Sequence, residues 1–161
     1  MSDMKPFFSL APGVAVALAL AGCGDSHDHA EHKGGEHHHE AKYGGTLVEI
    51  GQHEFNLEVV RDAATGTLNA YVLDGHVANF VRVPLESFEV IVKVGDRTEK
   101  LTFKPVANAA TGETAGNTSQ FQAQADWLKT ADSFEGVLKE IAIRGNTYTF
   151  VAFKFPKSDP P

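Results

Sequence analysis

Short runs in which apolar and polar side chains alternate dominate the chain from residue 46 onward. In the clearest run, Phe55, Leu57 and Val59 fall on one face and the residues between them are polar. A period of two residues is typical of a β-strand with one face in the core. The pattern predicts eight or nine strands, from runs at 46–50, 53–60, 67–73, 77–84, 87–94, 98–103, 119–125, 137–143 and 147–155. The run at 77–84 is the weakest and is expected at a sheet edge, because Pro84 has no N–H to donate.

The connections between these runs are mostly short, which predicts antiparallel neighbours. Residues 105–119 are the exception and are predicted to form a long loop, after which Asp126 is expected to cap a single helical turn. We therefore predict an all-β protein with one antiparallel β-sandwich domain, immunoglobulin-like, over residues 46–155. A small β-barrel is the alternative. Residues 156–161 are predicted to form a disordered tail.

The amino-terminal residues 1–22 predict a secretory signal peptide, with one basic residue, an apolar run and then small residues. The sequence Leu20-Ala21-Gly22-Cys23 resembles the lipobox of bacterial lipoproteins. That resemblance implies cleavage before Cys23, attachment of a diacylglyceryl group to its thiol and usually acylation, for instance with palmitate, of the new amino terminus. It places the protein at the periplasmic face of the cell envelope, on a membrane that the sequence does not identify. The alternative is an ordinary signal peptide followed by a chance cysteine.

Residues 23–45 are predicted to form a disordered arm, because they contain almost no apolar side chain. Five acidic residues are interleaved with the arm's histidines. These histidines are His27, His29, His32, His37, His38 and His39. Neutral imidazole is a good ligand for zinc, copper(II) and nickel. A Cu(I) site is disfavoured, since Cys23 is the only cysteine and neither methionine remains after cleavage. No metal is expected to be required for folding.

The arm resembles the histidine-rich segments of heavy-metal efflux adaptors and of periplasmic zinc-binding proteins. This resemblance covers only the low-complexity arm and implies metal capture, with transfer to an efflux or uptake system. The alternatives are a tether that binds metal incidentally and an engineered tag. The order of an arm, a Tyr43-Gly44-Gly45 turn and a closing hairpin at Gly145-Asn146-Thr147-Tyr148 is also similar to that of uncharacterised envelope lipoproteins.

His53 and His76 are candidates for a second, folded metal site in the β domain, together with Asp74 or Glu54. The alternative is that both histidines are simply solvated. No nucleophile elbow, P-loop, dinucleotide loop or HExxH motif is present, so an enzyme is not expected. A net charge of −7 also argues against nucleic acid as a partner.

Two functions remain open on these grounds. The first is an envelope lipoprotein that binds or buffers divalent transition-metal ions through its arm. The second is a structural or interaction lipoprotein whose β domain docks on an envelope partner, with the arm serving only as a tether.

Overall fold

The computed structural model describes residues 39–157, which form eight strands and one short 3-10 turn. The strands are β1 (Thr46–Ile50), β2 (Phe55–Asp62), β3 (Thr67–Asp74), β4 (Phe88–Val94), β5 (Arg97–Pro105), β6 (Gln120–Gln124), β7 (Phe134–Ile143) and β8 (Asn146–Phe155). The prediction of an all-β, antiparallel fold is confirmed. Within the described range, no helix has the length and apolar character needed to cross a bilayer.

The strands form one continuous sheet in the order β1-β2-β3-β6-β5-β4-β7-β8. Most of β5 pairs with β4, while its last two residues pair with β6, so β5 joins the two halves of the sheet. The two ends of the sheet approach each other: the rings of Phe55 in β2, next to the end strand β1, and of Tyr148 in the end strand β8 lie with centroids 6.0 Å apart. The sheet is nearly closed. This architecture is consistent with the predicted β-sandwich and with its small-barrel alternative.

The carboxyl-terminal tail contributes to this closure. The N–H of Lys157 donates to Oγ1 of Thr46 at 3.1 Å, so the first part of the tail is held against β1. The sequence predicts disorder from residue 156 onward, and residues 158–161 of that tail lie outside the described range.

A single apolar core fills the space that the sheet encloses. The strands contribute alternate residues to it, as the pattern of Phe55, Leu57 and Val59 predicts. The rings of Phe88 and Phe103 stack with centroids 4.8 Å apart and connect β4 to β5 within this core. Burial of one such side chain contributes about 1.5–3 kcal/mol. The core is therefore the main source of the domain's stability.

The hairpin of β7 and β8 changes the parity of its inward side chains partway along. On β7, the buried Leu138 and Ile141 are separated by two exposed residues, Lys139 and Glu140. On β8, Phe150 is 75% exposed and has a left-handed backbone with φ 54°, although the pairing register is the same on both sides of it. A bulky residue rarely adopts positive φ. This position marks a local distortion that lets both ends of the hairpin direct apolar side chains inward.

The predicted strand at 77–84 is wrong, because these residues form only isolated bridges. The carboxylate of Asp74 accepts two backbone N–H groups of the following loop, which turns the chain away at the end of β3. Val81 and Val83 are nevertheless buried, and their N–H groups donate to β3 and to the 105–119 loop. The apolar alternation in this run reflects packing of an irregular segment against the sheet.

Two smaller predictions also need correction. β7 begins at Phe134, three residues before the predicted start, and the ring of Phe134 stacks on Phe155 with centroids 4.9 Å apart. The 3-10 turn Asp126–Lys129 follows Ala125, and no side chain caps its start. The carboxylate of Asp126 instead accepts a hydrogen bond from Nζ of Lys129 at 3.0 Å.

The long loop between β5 and β6, residues 106–119, is ordered around the buried side chain of Glu113. Its carboxylate accepts hydrogen bonds from the N–H of Ser119 at 2.8 Å, from Oγ of Ser119 at 2.6 Å and from Oγ1 of Thr111 at 2.7 Å. Burial acts to raise the pKa of Glu113, but these donors and the nearby Arg82 outweigh it, so the pKa is lowered. The loop thus has an internal anchor despite its length.

Glu89 links β4 to both neighbouring strands on the outer face of the sheet. Its two carboxylate oxygens accept hydrogen bonds at 2.8 Å from Lys100 in β5 and from Lys139 in β7. The bonds from Lys100 and Lys139 are the main reason that the pKa of Glu89 is lowered to about 2.

Replacing this carboxylate, as in Glu89→Gln, should remove an acid-sensitive part of the domain's stability. Because the pKa lies below its ordinary value of 4.5, the paired carboxylate stabilises the fold above about pH 4.5, and this stabilisation is lost as the pH falls towards 2. We expect the wild-type chain to unfold at a higher temperature than the variant at neutral pH, and the gap to close under acid. Thermal unfolding followed by circular dichroism measures this gap. Glu140→Gln, an exposed change beside Lys139, is the matched control; a gap independent of pH would contradict the prediction.

Candidate functional site

The point at which the arm enters the domain is held by a buried carboxylate, that of Glu58. Alternation places Glu58 on the outer face of β2, yet its exposed fraction is 0%. Oε1 accepts the N–H groups of Tyr43 at 2.7 Å and of Gly45 at 3.0 Å, and Oε2 accepts the N–H of Lys42 at 2.9 Å. Three hydrogen bonds to one carboxylate are strong, because the acceptor is charged. We call this arrangement the Glu58 anchor.

The two glycines of the Tyr43-Gly44-Gly45 sequence are explained by the anchor. Gly44 has φ 68°, a left-handed conformation that favours glycine. A Cβ on Gly45 would lie 2.5 Å from the carbonyl oxygen of Val59, so no side chain fits there without a shift of the backbone. The Glu58 anchor therefore begins at Lys42, inside the segment that the sequence assigns to the disordered arm.

An exposed aromatic cluster lies beside the Glu58 anchor and consists of Tyr43, Tyr71 and Phe80. The rings of Tyr43 and Tyr71 have centroids 4.4 Å apart, and Phe80 lies 6.1 Å from Tyr43. Tyr43 is 53% exposed and Phe80 is 43% exposed, although Nζ of Lys42 lies 5.5 Å from the Phe80 centroid. Burial is the main reason that the pKa of Tyr71 is raised, and the neighbouring Tyr43 and Glu58 add to it. The cluster therefore presents aromatic surface to solvent beside the Glu58 anchor.

His39, the last histidine of the arm, lies against His76 of the domain. Their rings meet edge to face, with centroids 5.8 Å apart and an interplanar angle of 72°. His39 is only three residues from Lys42, whose N–H the anchor holds. The arm and the domain therefore each contribute one imidazole to the same place, which we call the histidine pair.

The loop that carries His76 is fixed by polar contacts on both sides. Nδ2 of Asn56 donates to the carbonyl oxygen of Gly75 at 3.0 Å. The backbone of Gly75 packs so closely on the carbonyl of His53 that a Cβ there would collide with it. The carboxylate of Asp74 accepts hydrogen bonds from Asn79 Nδ2 at 2.7 Å and from two backbone N–H groups. Burial acts to raise the pKa of Asp74, but these bonds outweigh it and the pKa is lowered.

The structure does not assemble the predicted site of His53 and His76 with Asp74 or Glu54. Register does bring the two histidines to the same end of the sheet, since Phe55 pairs with Asp74. However, Nδ1 of His53 lies 3.2 Å from a carboxylate oxygen of Glu49, and the carboxylate of Glu54 accepts the hydroxyl of Tyr148. Across residues 39–157, no group of three or more His, Cys, Asp and Glu side chains is placed to hold a metal ion.

The other predicted site residues lie outside the described range. They are Cys23, His27, His29, His32, His37 and His38. Lipidation of the thiol and metal binding by these histidines therefore stay predictions.

A shallow cleft lies at another part of the sheet, between the β4–β5 turn and the ends of β7 and β8. Its charged lining includes Lys93, Glu135 and Lys154, and the last two lie 3.5 Å apart as an exposed ion pair. An exposed ion pair contributes little energy and does not hold its partners rigidly. The cleft offers no convergent set of polar groups on which to base a reaction.

Sequence reasoning missed the Glu58 anchor and the pairing of His39 with His76. The available signal was a carboxylate at an outward position of a strand, preceded by a Tyr-Gly-Gly turn whose backbone N–H groups needed an acceptor. No protein-family model matches the chain, and no match is found among curated proteins or solved structures.

Substitution of the anchor carboxylate, as in Glu58→Gln, should destabilise the domain by about 2–3 kcal/mol. An amide has one acceptor oxygen and one NH₂ group, so at least one of the three backbone N–H groups would face a donor. Urea unfolding of the variant measures the loss. The exposed Glu86→Gln is the control and should stay within about 0.5 kcal/mol of the wild type. Equal stability of the two variants would contradict the anchor.

Proposed function

We propose that this protein is a lipid-anchored protein of the bacterial cell envelope that binds or buffers divalent transition-metal ions through its histidine-rich arm. One observation carries the proposal: the last arm histidine, His39, lies against a domain histidine, His76, with ring centroids 5.8 Å apart. The run of histidines therefore ends at a further imidazole on the domain surface.

The chemistry of the arm suits zinc, copper(II) and nickel. Its six imidazoles are interleaved with five carboxylates, and the whole chain has a net charge of −7, which favours cations. Cys23 is the only thiol, and in the proposal a lipid occupies it. The donor set is therefore nitrogen and oxygen, which matches borderline metals better than Cu(I).

Moderate affinity is expected and fits a buffering role. Ordering a chain segment costs roughly 1–2 kcal/mol per residue, so a closing arm loses part of its binding energy. Several combinations of the arm's histidines would compete for one ion. Such a site releases its ions readily, and within the proposal they pass to an efflux or uptake system of the envelope.

Calorimetric titration tests the metal-binding part of the proposal. The full-length chain, purified in detergent without a polyhistidine tag, is titrated with Zn²⁺, Cu²⁺ and Ni²⁺ near pH 7.5. We expect a dissociation constant of about 1 µM or below. Binding should weaken as the pH falls through about 6.5, where imidazole takes up a proton.

The matched variant changes all six arm histidines to serine and leaves the interleaved acids in place. It should lose the sub-micromolar binding. If the unchanged chain binds none of the three ions tighter than about 100 µM, the proposal fails.

Lipid attachment is tested separately with Cys23→Ser. In bacteria fed radiolabelled palmitate, the wild-type chain should carry the label and fractionate with membranes, because several acyl chains hold firmly at about 0.8 kcal/mol per buried CH₂. The variant should carry no label. Equal labelling of both chains would exclude Cys23 as the attachment site.

The aromatic cluster favours a second candidate function, docking on an envelope partner with the arm as a tether. Exposed aromatic side chains that lie together are common at protein interfaces. This function would take the place of metal binding if the titration fails.

A further inference from the structure

We propose that His39 and His76 bind one transition-metal ion together, so that the domain itself supplies a ligand and the tightest site lies at the root of the arm. This inference rests on the proposed function and deepens it, because it names a particular site within a donor-rich segment.

The distance between the two rings permits a shared ion. A metal–nitrogen bond of about 2.0–2.1 Å places the centroid of a bound imidazole roughly 3.2 Å from the ion. Two rings on one ion therefore have centroids no more than about 6.4 Å apart. The observed separation is 5.8 Å, and the rings are steeply inclined at 72°.

The fold holds the backbone close to both members of the histidine pair. The Glu58 anchor holds the backbone at Lys42, three residues after His39, and Asn56 and His53 hold the backbone of Gly75, next to His76. Two ligands that are already positioned avoid most of the ordering cost that a free segment bears. This pair should therefore bind an ion more tightly than any two histidines elsewhere in the arm.

The neighbouring carboxylates are engaged with other groups. Asp74 accepts hydrogen bonds from its own loop, Glu54 accepts the hydroxyl of Tyr148, and Glu49 contacts His53. The protein ligands of the proposed site are thus two imidazoles, with the remaining positions open to water. Such a nitrogen-rich, thiolate-free site favours Cu²⁺ over the other divalent ions of the series.

The test isolates the pair by removing the competing ligands. The starting point is a full-length chain in which five arm histidines are replaced by serine, called the five-histidine variant. The replaced residues are His27, His29, His32, His37 and His38. We expect this variant to bind one equivalent of Cu²⁺, with electron paramagnetic resonance showing coupling to two nitrogens. Its unfolding temperature should also rise on addition of Cu²⁺, since the ion binds the folded domain.

Further changes in the same background identify the two ligands. His76→Asn and His39→Asn should each weaken Cu²⁺ binding by about a hundredfold or more, because a second linked ligand multiplies affinity to that degree. His53→Asn, at the same end of the sheet, is the control and should change the affinity less than about twofold. His76→Phe retains an edge-to-face ring contact without a ligand nitrogen, so it should keep metal-free stability and still lose the ion.

The outcomes separate this inference from the proposed function. If the five-histidine variant binds no Cu²⁺, or if His76→Phe binds it as well as its parent does, the shared site is overturned while the arm can still bind metal in the unchanged chain. If the unchanged chain also binds none of the ions, the proposed function fails as well.

Discussion

The carboxylate of Glu58 is buried on the outer face of β2, where an uncompensated charge would cost far more free energy than a small domain can spare. Three backbone N–H groups from Lys42 to Gly45 satisfy it, so the turn and the carboxylate require each other. This contact places Tyr43 over Tyr71 and fixes the chain three residues after His39, whose ring lies beside His76. The surface on which the proposed function rests therefore depends on one charged side chain that is not itself a candidate ligand.

The rest of the fold supports this surface from beneath. β2 and β3 form a hairpin whose inward residues belong to the common core, and whose outward residues Glu58 and Tyr71 are register partners. Closure of the sheet through β5 and the distorted β7–β8 hairpin keeps that core contiguous. The outer face of the hairpin is thus backed by packed side chains, which suits it for holding ligands at fixed positions.

Strict alternation was enough to predict most strands, because a run such as Phe55, Leu57 and Val59 gives one apolar face to a strand and none to a helix. The same criterion failed at 77–84, where Val81 and Val83 are buried on an irregular segment. The strand order was beyond prediction, since β3 pairs with β6 and β4 with β7 through contacts distant in sequence.

The sequence predicted that histidines would form the candidate site, but not which of them would lie together. His53 and His76 do reach the same end of the sheet, but their side chains turn to Glu49 and to His39. Side-chain direction in turns depends on the backbone conformation, such as φ 61° at His53, which local patterning does not reveal.

The unusual conformation of Phe150 has a consequence for chains held at high density. β8 ends the sheet and leaves one of its edges without a partner strand among the described residues, and such an edge is a template for stacking onto a neighbouring molecule. A left-handed residue in the middle of β8 interrupts the regular spacing of the backbone groups along that edge. Copies that meet along this edge would then face a broken ladder of backbone groups, which disfavours growth into fibres.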